Sequence, residues 1–540
     1  MAAETLLAPW LLAPLLLVGA RVWLARAARL PPLEPRAEPQ AFGPPEASRL
    51  HRAFATAIAA MLGRSGVLPL PDAREALGVR IRLIRAAERS IDAQYYIWRP
   101  DLAGTILLGE LLEAAERGVR VRLLLDDNGI DGLDGALKGL DSHPRIAVRL
   151  FNPFPFRRLK RLAYLVDFPR LNRRMHNKAL IVDGTLAVVG GRNIGDEYFG
   201  ATDGALFADL DAVVAGPAVA ELAADFGRYW QCPSAHGLAL LLRRQPAWTG
   251  ARLRARASAA RSRPEAAPYA ALLEPGPAED PLLDPARYDW VPATLVSDDP
   301  AKAEGRRIRR GRLADQLLRV IETPERELGL VSPYFVPTAA GVAELARLAR
   351  SGIAVAILTN SFGANNHALV HAGYAPRRRA LLEAGVRLFE VRPDATAPPS
   401  RSSFRLDRDR AGRWRGSGSG AARSRRSSLR ASGAALHAKT FAVDRTRLFI
   451  GSFNFDPRSL ALNTELGLVF TCPQLAGQLM AQFDRGFAGT AWELRLAGGR
   501  IVWHDPADPG AAPLRTEPGM GWRQRAGVAI LSRLPIEWLL

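Results

Sequence analysis

A histidine, a lysine and an aspartate recur at identical offsets in two segments of this chain: His176, Lys178 and Asp183, then His437, Lys439 and Asp444. The first segment continues to Gly190-Gly191-Arg192-Asn193 and the second to Gly451-Ser452-Phe453-Asn454, so a glycine pair or Gly-Ser and an asparagine also fall in register. One His-x-Lys is a common accident. Two copies with the same downstream residues predict that a structural unit has been duplicated within one chain.

The surrounding pattern supports a duplication of α/β type. Residues 90–98 predict a strand, 105–117 a helix ending at Gly118, and 119–125 a second strand. The order returns at residues 327–335, 340–350 and 353–359, and each series leads to a His-x-Lys segment. At 540 residues the chain exceeds what one hydrophobic core organises. The expected architecture is α/β: two pseudo-twofold-related lobes with mixed β-sheets flanked by helices. The expected division is a first lobe over residues 49–250, a connecting segment over 251–300, a second lobe over 301–500 and a tail over 501–540. Two stretches break the rhythm and are expected to be mobile: residues 251–263, rich in Ala and Arg, and an Arg/Ser/Gly insertion over 394–435.

In a strand, residues two apart project to one side, so His176 and Lys178 share a face, as do His437 and Lys439. If the two copies meet, two ammonium groups line one pocket, with Asn193, Asn454 and the Ser452 hydroxyl as neutral donors. Such a cradle suits a phosphodiester, whose transition state gathers charge on its non-bridging oxygens. Two imidazoles at one phosphorus predict divided labour, one attacking phosphorus and the other moving the proton of the leaving and incoming alcohols. Glu465, downstream of the second asparagine, and Asp209, before Leu210-Asp211-Ala212-Val213-Val214, are each placed to hold a histidine tautomer. Asp183 and Asp444 are motif members for which a turn and strand-cap role is favoured over chemistry. Tyr95, Tyr96, Tyr334 and Phe335 read as core. No His, Asp, Glu or Cys grouping has metal-site spacing, so neither a metal nor a cofactor is expected. Cys232 and Cys472 are isolated and predict no disulfide.

The formal charge of +19 and the pI near 10.8 imply an anionic partner, and nucleic acid and an acidic lipid surface satisfy them equally. The amino terminus favours lipid. Leu6 to Ala20 carries no charge and Val22-Trp23-Leu24 extends the apolar run, while Glu4 and the lack of a basic start disfavour a cleaved secretory signal. Residues 1–30 are therefore expected to be a membrane anchor or signal-like segment, followed by a linker over 31–48. Arg21, Arg26 and Arg29 would keep the body of the protein on the cytoplasmic side. Residues 522–540 mix Arg523, Arg525 and Arg533 with apolar side chains, which suits either a membrane interface or packing on the body.

The paired His-x-Lys-x4-Asp pattern with its Gly-Gly or Gly-Ser and Asn resembles the phospholipase D superfamily. The residues around it narrow the likeness. Gly190 to Phe199, Gly451-Ser452-Phe453-Asn454-Phe455-Asp456-Pro457-Arg458-Ser459 and the ending Leu531 to Leu540 are similar to bacterial cardiolipin synthases of the C type. The resemblance implies a duplicated phospholipase D-like fold, a phosphohistidine intermediate and no metal. It implies His176 as nucleophile and His437 as general acid and base, or the reverse. It further implies that a phosphatidyl group moves from phosphatidylethanolamine or phosphatidylglycerol to phosphatidylglycerol, at the inner membrane, with any accessory protein unspecified. The alternatives are a hydrolase of the same chemistry acting on phospholipid or nucleic acid, and a non-catalytic membrane scaffold. No separate nucleic-acid-binding domain is recognisable.

Overall fold

The computed structural model describes residues 48–157, 159–200, 207–243, 246–269, 280–305, 312–365, 368–393 and 435–534, with 28–33 and single positions 19, 22 and 26 ahead of them. The expected apolar anchor therefore lies outside the described residues apart from Gly19 and Val22, and so do residues 34–47, 394–434 and 535–540. No described helix is long and apolar enough to cross a membrane.

In chain order the strands are β1 (Ser65–Leu70), β2 (Ser90–Ile97), β3 (Arg120–Gly129), β4 (Ile146–Phe151), β5 (Ala179–Val182), β6 (Leu186–Gly190), β7 (Phe207–Ala208), β8 (Asp211–Ala215), β9 (Ala235–Gly237) and β10 (Asp289–Val291). They continue as β11 (Ala293–Ser297), β12 (Glu327–Val331), β13 (Ala354–Asn360), β14 (Arg387–Val391), β15 (Ala435–Leu436), β16 (Thr440–Val443), β17 (Arg447–Gly451), β18 (Leu466–Thr471), β19 (Ala491–Ala497) and β20 (Arg500–His504).

Two sheets hold most of them. One runs β10-β1-β8-β6-β5-β2-β3-β4-β9 and the other β11-β18-β17-β16-β12-β13-β14-β19-β20. Beginning at β1 and β11 the two orders match strand for strand up to β9 and β19. Every matched pairing also has the same sense, with β2-β3-β4 and β12-β13-β14 parallel and the others antiparallel. The parallel strands are joined by capped helices. Leu102–Glu116 starts where Asp101 accepts from the Gly104 amide, and Ala339–Arg350 where Thr338 accepts from Gly341. The strand beginning at Glu327 stops at Val331 rather than reaching Phe335, because Pro333 has no amide to donate to a ladder.

Each lobe buries apolar side chains under its outer helices, and a third core lies between the sheets. Val189 and Val214 of the first sheet share it with Ile450, Leu468 and Phe470 of the second, and the helices Pro217–Gln231 and Pro473–Asp484 flank it. Short backbone pairings then stitch the lobes at one end of the sheets. β7 pairs with β15, the His437 amide donates to the Ala208 carbonyl at 2.8 Å, and the His176 amide donates to Thr464 at 2.9 Å.

Residues 250–261 form a helix, contrary to the expected mobile stretch. The Thr249 hydroxyl caps it, Leu253, Ala257 and Ala260 are buried, and Arg261 bonds Glu110 and Glu113. Beyond Leu253 its inner face is alanine, where the neighbouring helix comes close: a Cβ on Gly109 would stand 2.4 Å from that of Ala257. Small-residue packing of this kind leaves little apolar periodicity in the sequence.

Candidate active site

The glycines, asparagines and histidines of the two copies converge at the stitched end of the sheets, whereas Asp183 and Asp444 stand at the other end of β5 and β16. Both aspartates adopt φ of +51° in a tight turn. The Asp183 carboxylate accepts the amides of Glu88, Arg89 and Ser90 at 2.9–3.0 Å, and that of Asp444 accepts those of Glu325, Arg326 and Glu327 at 2.8–3.0 Å. Each thereby fixes the entry to a central strand, β2 or β12. Neither reaches the histidines.

His176 and His437 precede β5 and β16, and each ring is oriented by a carboxylate from the opposite copy. His176 Nδ1 lies 2.8 Å from Glu465 Oε2, and His437 Nδ1 lies 2.5 Å from Asp209 Oδ2. A carboxylate accepts the Nδ1 proton, which leaves Nε2 of each ring with its lone pair free. The backbone bonds set this crossing: Thr464, which binds the His176 amide, immediately precedes Glu465, and Ala208, which binds the His437 amide, immediately precedes Asp209.

The two carboxylates are held differently. Glu465 Oε2 accepts from the Ser452 hydroxyl at 2.5 Å, Oε1 accepts from Ser459 at 2.8 Å, and its amide donates to Asp298 at 3.0 Å. Asp209 has instead a glycine beside it, because a Cβ on Gly191 would stand 2.2 Å from Oδ1. Its own carbonyl is held at 2.6 Å by the buried Arg192, which also pairs with Asp211. Gly-Gly in one copy and Gly-Ser in the other thus reflect a short aspartate without a hydroxyl support and a longer glutamate with one.

Lys178 and Lys439 are buried against the same groups. Their ammoniums donate to the His176 and His437 carbonyls, and Lys439 Nζ also comes within 2.8 Å of His437 Nδ1. Asp209 accepts the ring proton, so this last approach is an electrostatic contact rather than a second bond to the same nitrogen. Burial pushes His176 down to about 4 and His437 down to about 3, and the lysines add to the effect, while Glu465 and Asp209 oppose it. Burial and mutual repulsion bring Lys178 down to about 7, and burial brings Lys439 down to about 8, each against the pull of both carboxylates. Burial alone would raise Glu465 and Asp209, but the surrounding lysines and histidines hold both below the usual carboxylate range. The site therefore presents neutral imidazoles, ionised carboxylates and lysines close to losing their charge near neutral pH.

The neutral donors are less available than the sequence pattern implies. Asn193 Oδ1 accepts from the Ile97 amide and its Nδ2 donates to the Tyr198 hydroxyl, both at 3.1 Å. The Ser452 hydroxyl is spent on Glu465 and also accepts from the Leu466 amide at 3.0 Å. Asn454 is buried, and its Oδ1 has no partner among the described residues.

Two aromatic residues were not expected here. Tyr96 meets His176 edge-on with ring centroids 5.1 Å apart, and Tyr198 meets His437 in the same way at 5.1 Å. Tyr96 thus belongs to the site rather than to the core, while Tyr95 is buried as expected, bonded by Arg80. The available signal was strand alternation, which turns Tyr95 and Tyr96 to opposite faces of β2. Among the described residues no group of His, Cys, Asp and Glu is arranged to hold a metal ion.

Comparison with known proteins agrees with this geometry. The family described as "Cardiolipin synthase, PLD-like domain" matches residues 80–230 and 408–486. Cardiolipin synthase C of Escherichia coli (strain K12) is 46% identical over 484 residues, which cover 88% of this chain and 97% of that protein. Cardiolipin synthase A of Pseudomonas aeruginosa (strain LESB58) is 25% identical over 430 residues, 79% of this chain and 68% of the relative. The crystal structure of phosphatidylserine synthase from Haemophilus influenzae Rd KW20 has the same fold, with a TM-score of 0.54 at 13% identity, covering 91% of this chain and 100% of that one.

Proposed function

The chain belongs to the phospholipase D superfamily, among its cardiolipin synthases, and from that membership we propose a mechanism in which two histidines share one phosphatidyl transfer. The activity is that of a phosphatidyltransferase with phospholipid substrates. The observation that supports the mechanism best is the reciprocal orientation of the rings, His176 by Glu465 and His437 by Asp209.

In the proposed first step the His176 Nε2 lone pair attacks the phosphorus of a bound phosphatidyl donor. The bond from phosphorus to the head-group oxygen breaks as the His437 imidazolium gives that oxygen its proton, and a phosphatidyl-histidine remains. In the second step neutral His437 takes the proton of an incoming glycerol hydroxyl on phosphatidylglycerol. That oxygen attacks phosphorus, the nitrogen–phosphorus bond breaks, and cardiolipin leaves. Lys178 and Lys439 neutralise the non-bridging oxygens throughout. Burial first, and repulsion from the lysines second, disfavour the charged His437 ring; the phosphodiester's own negative charge opposes both and so favours the proton-holding form when substrate is bound. Phosphatidylethanolamine or a second phosphatidylglycerol serves as donor, phosphatidylglycerol as acceptor, and the reaction proceeds at the cytoplasmic face of the inner membrane.

Product analysis by mass spectrometry tests the reading. Purified protein given labelled phosphatidylglycerol, with and without phosphatidylethanolamine, is expected to form cardiolipin and release glycerol or ethanolamine. Phosphatidic acid as the sole product would identify water as the acceptor and replace the synthase with a hydrolase.

A further inference from the structure

Each histidine of the site follows a residue whose backbone is held by one buried side chain of its own lobe. Met175, before His176, donates its amide to Asp126 Oδ2 at 2.8 Å. Leu436, before His437, donates its amide to Asn360 Oδ1 at 2.9 Å, and its carbonyl accepts from Asn360 Nδ2 at 2.9 Å. Asp126 and Asn360 occupy equivalent places in the two sheets. Asp126 stands opposite Phe151 in the last register pair of β3 with β4, and Asn360 stands opposite Val391 in the last register pair of β13 with β14.

The backbone gives these two positions their leverage. In an extended chain successive amides point to opposite sides. The Met175 and Leu436 amides turn into their own lobe, whereas the next ones, of His176 and His437, donate across the interface to Thr464 at 2.9 Å and Ala208 at 2.8 Å. Thr464 and Ala208 each immediately precede the carboxylate that orients the ring, Glu465 or Asp209. Each histidine is thus suspended between an anchor in its own lobe and a strand of the other. The anchor fixes where the ring stands relative to its carboxylate.

The two anchors differ in chemistry, and the residue two places before each histidine differs with them. A carboxylate only accepts, and Asp126 is neutralised by the buried Arg174 through bonds of 2.6–3.1 Å. An amide accepts and donates, so Asn360 satisfies both backbone groups of Leu436 and brings no charge into the interior. Alanine, Ala435, accordingly stands where the first lobe has its arginine. The same bond made by two unlike side chains in two copies of one unit marks a requirement on the position.

We propose that Asp126 and Asn360 are positioning residues for the two histidines, Asp126 for the ring that attacks phosphorus and Asn360 for the ring that moves the proton. The division of roles rests on the mechanism proposed above, and the anchoring does not. A displaced Asn360 anchor matters where a proton must be delivered, and a displaced Asp126 anchor matters at every attack.

The test uses Asn360→Asp and Asp126→Asn in the full chain. Asn360→Asp keeps an acceptor for the Leu436 amide but sets a carboxylate oxygen against the Leu436 carbonyl. Asp126→Asn keeps an acceptor for the Met175 amide but leaves Arg174 without its counter-charge. Phosphoenzyme formation is followed in single turnover with two donors: phosphatidylglycerol, whose leaving glycerol needs a proton, and phosphatidyl-p-nitrophenol, whose phenolate departs without one. Asn360→Asp is expected to slow the first about ten- to a hundredfold, the cost of a ring displaced by up to about 1 Å, and the second by less than about threefold. Asp126→Asn is expected to slow both by one common factor of about tenfold or more. Equal slowing of both donors by both variants, as a loosened fold would give, or no slowing, overturns the proposal. Selectivity at Asp126 instead of Asn360 overturns the roles given to the two rings, and with them the proposed mechanism.

A second measurement needs no turnover. In the chain labelled with nitrogen-15 histidine, with peaks assigned through His176→Gln and His437→Gln, Asn360→Asp is expected to shift the ring nitrogens of His437 and leave those of His176 in place. Asp126→Asn is expected to do the reverse. Unmoved resonances, or both rings moving alike in each variant, overturn the anchoring. Where Asp126→Asn does not fold, Asn360→Asp decides by both measurements. A wild-type chain that turns over neither donor refutes the proposed function, yet the spectra still decide the anchors, so the two failures are distinguishable.

Discussion

Replacing Glu465 with glutamine is the sharpest test of the proposed mechanism, because it changes one charge and one hydrogen-bond direction at nearly constant shape. In the native site Glu465 accepts at both oxygens, from His176 Nδ1 at 2.8 Å and Ser452 at 2.5 Å on one, and from Ser459 at 2.8 Å on the other. A glutamine that keeps its carbonyl toward Ser459 turns its NH2 toward the ring, and that NH2 can only donate. His176 then carries its proton on Nε2, the atom that must attack phosphorus. The carboxylate favours the productive tautomer by about 2–3 kcal/mol as a charge-assisted bond, and the amide favours the other by about 1 kcal/mol. The swing of about 3–4 kcal/mol corresponds to two or three powers of ten in the rate of phosphoenzyme formation. Loss of the negative charge beside the positive phosphatidyl-histidine extends the expected fall to about three or four powers of ten, with KM little changed. Rapid quench with radiolabelled donor, followed by counting of protein-bound label, reads this step directly. A Glu465→Gln chain that forms phosphoenzyme within about tenfold of the wild-type rate would refute the role given to Glu465, and with it the choice of His176 as the ring under its control.

Three further outcomes are expected. For the two lysines the folded-state values lie below the ordinary one, so their positive charge is lost early as pH rises; kcat/KM should fall more steeply from about pH 7 upward as Lys178 and then Lys439 discharge. A pH profile flat from 7 to 10 would contradict this placement of the lysines. Gly191→Ala puts a methyl group 2.2 Å from Asp209 Oδ1 and should displace that carboxylate from His437, lowering kcat by about ten- to a hundredfold while thermal melting changes little. Asp183→Asn removes the charge that gathers three amides at the start of β2; it should destabilise the fold by about 1–3 kcal/mol in denaturant titration and leave kcat per folded molecule unchanged.

The paired histidines, the lysines and the duplicated strand order were legible because each is a local pattern repeated at equal offsets. The two carboxylates are a different case. Glu465 follows Asn454 more closely than Asp209 follows Asn193, and one is a glutamate where the other is an aspartate, so no common spacing links them. Nothing local says that each serves the histidine of the other copy, since that assignment is made by the β7–β15 pairing and the bridge from Met175 to Thr464. The hydrogen bonds that Asn193 and Ser452 make were hidden for a similar reason: their partners, the Ile97 amide, Tyr198 and Glu465, are fixed by tertiary packing. The helix Gly250–Arg261 was hidden by its composition, because alanine set against Gly109 packs closely without producing an apolar stripe.

The exchange of carboxylates has a consequence for why the duplicated unit stays in one chain. A lobe folded alone would keep its histidine and lysine but lose the acceptor for the Nδ1 proton, and with it control of which nitrogen is free. It would also expose the apolar surface that Val189, Val214, Ile450 and Leu468 share between the sheets. The same contacts that bury this surface bring Thr464 to the His176 amide and Ala208 to the His437 amide, so docking of the lobes and orientation of both rings are one event. The two rings nevertheless work in unequal surroundings, one under a glutamate held by two hydroxyls and the other under an aspartate beside a glycine. In a two-step transfer the nucleophile must carry a covalent phosphatidyl group while its partner shuttles a proton. The firmly braced Glu465 suits the ring that must not turn during the life of the intermediate, which supports the proposal of His176 in that role and of His437 as the acid and base.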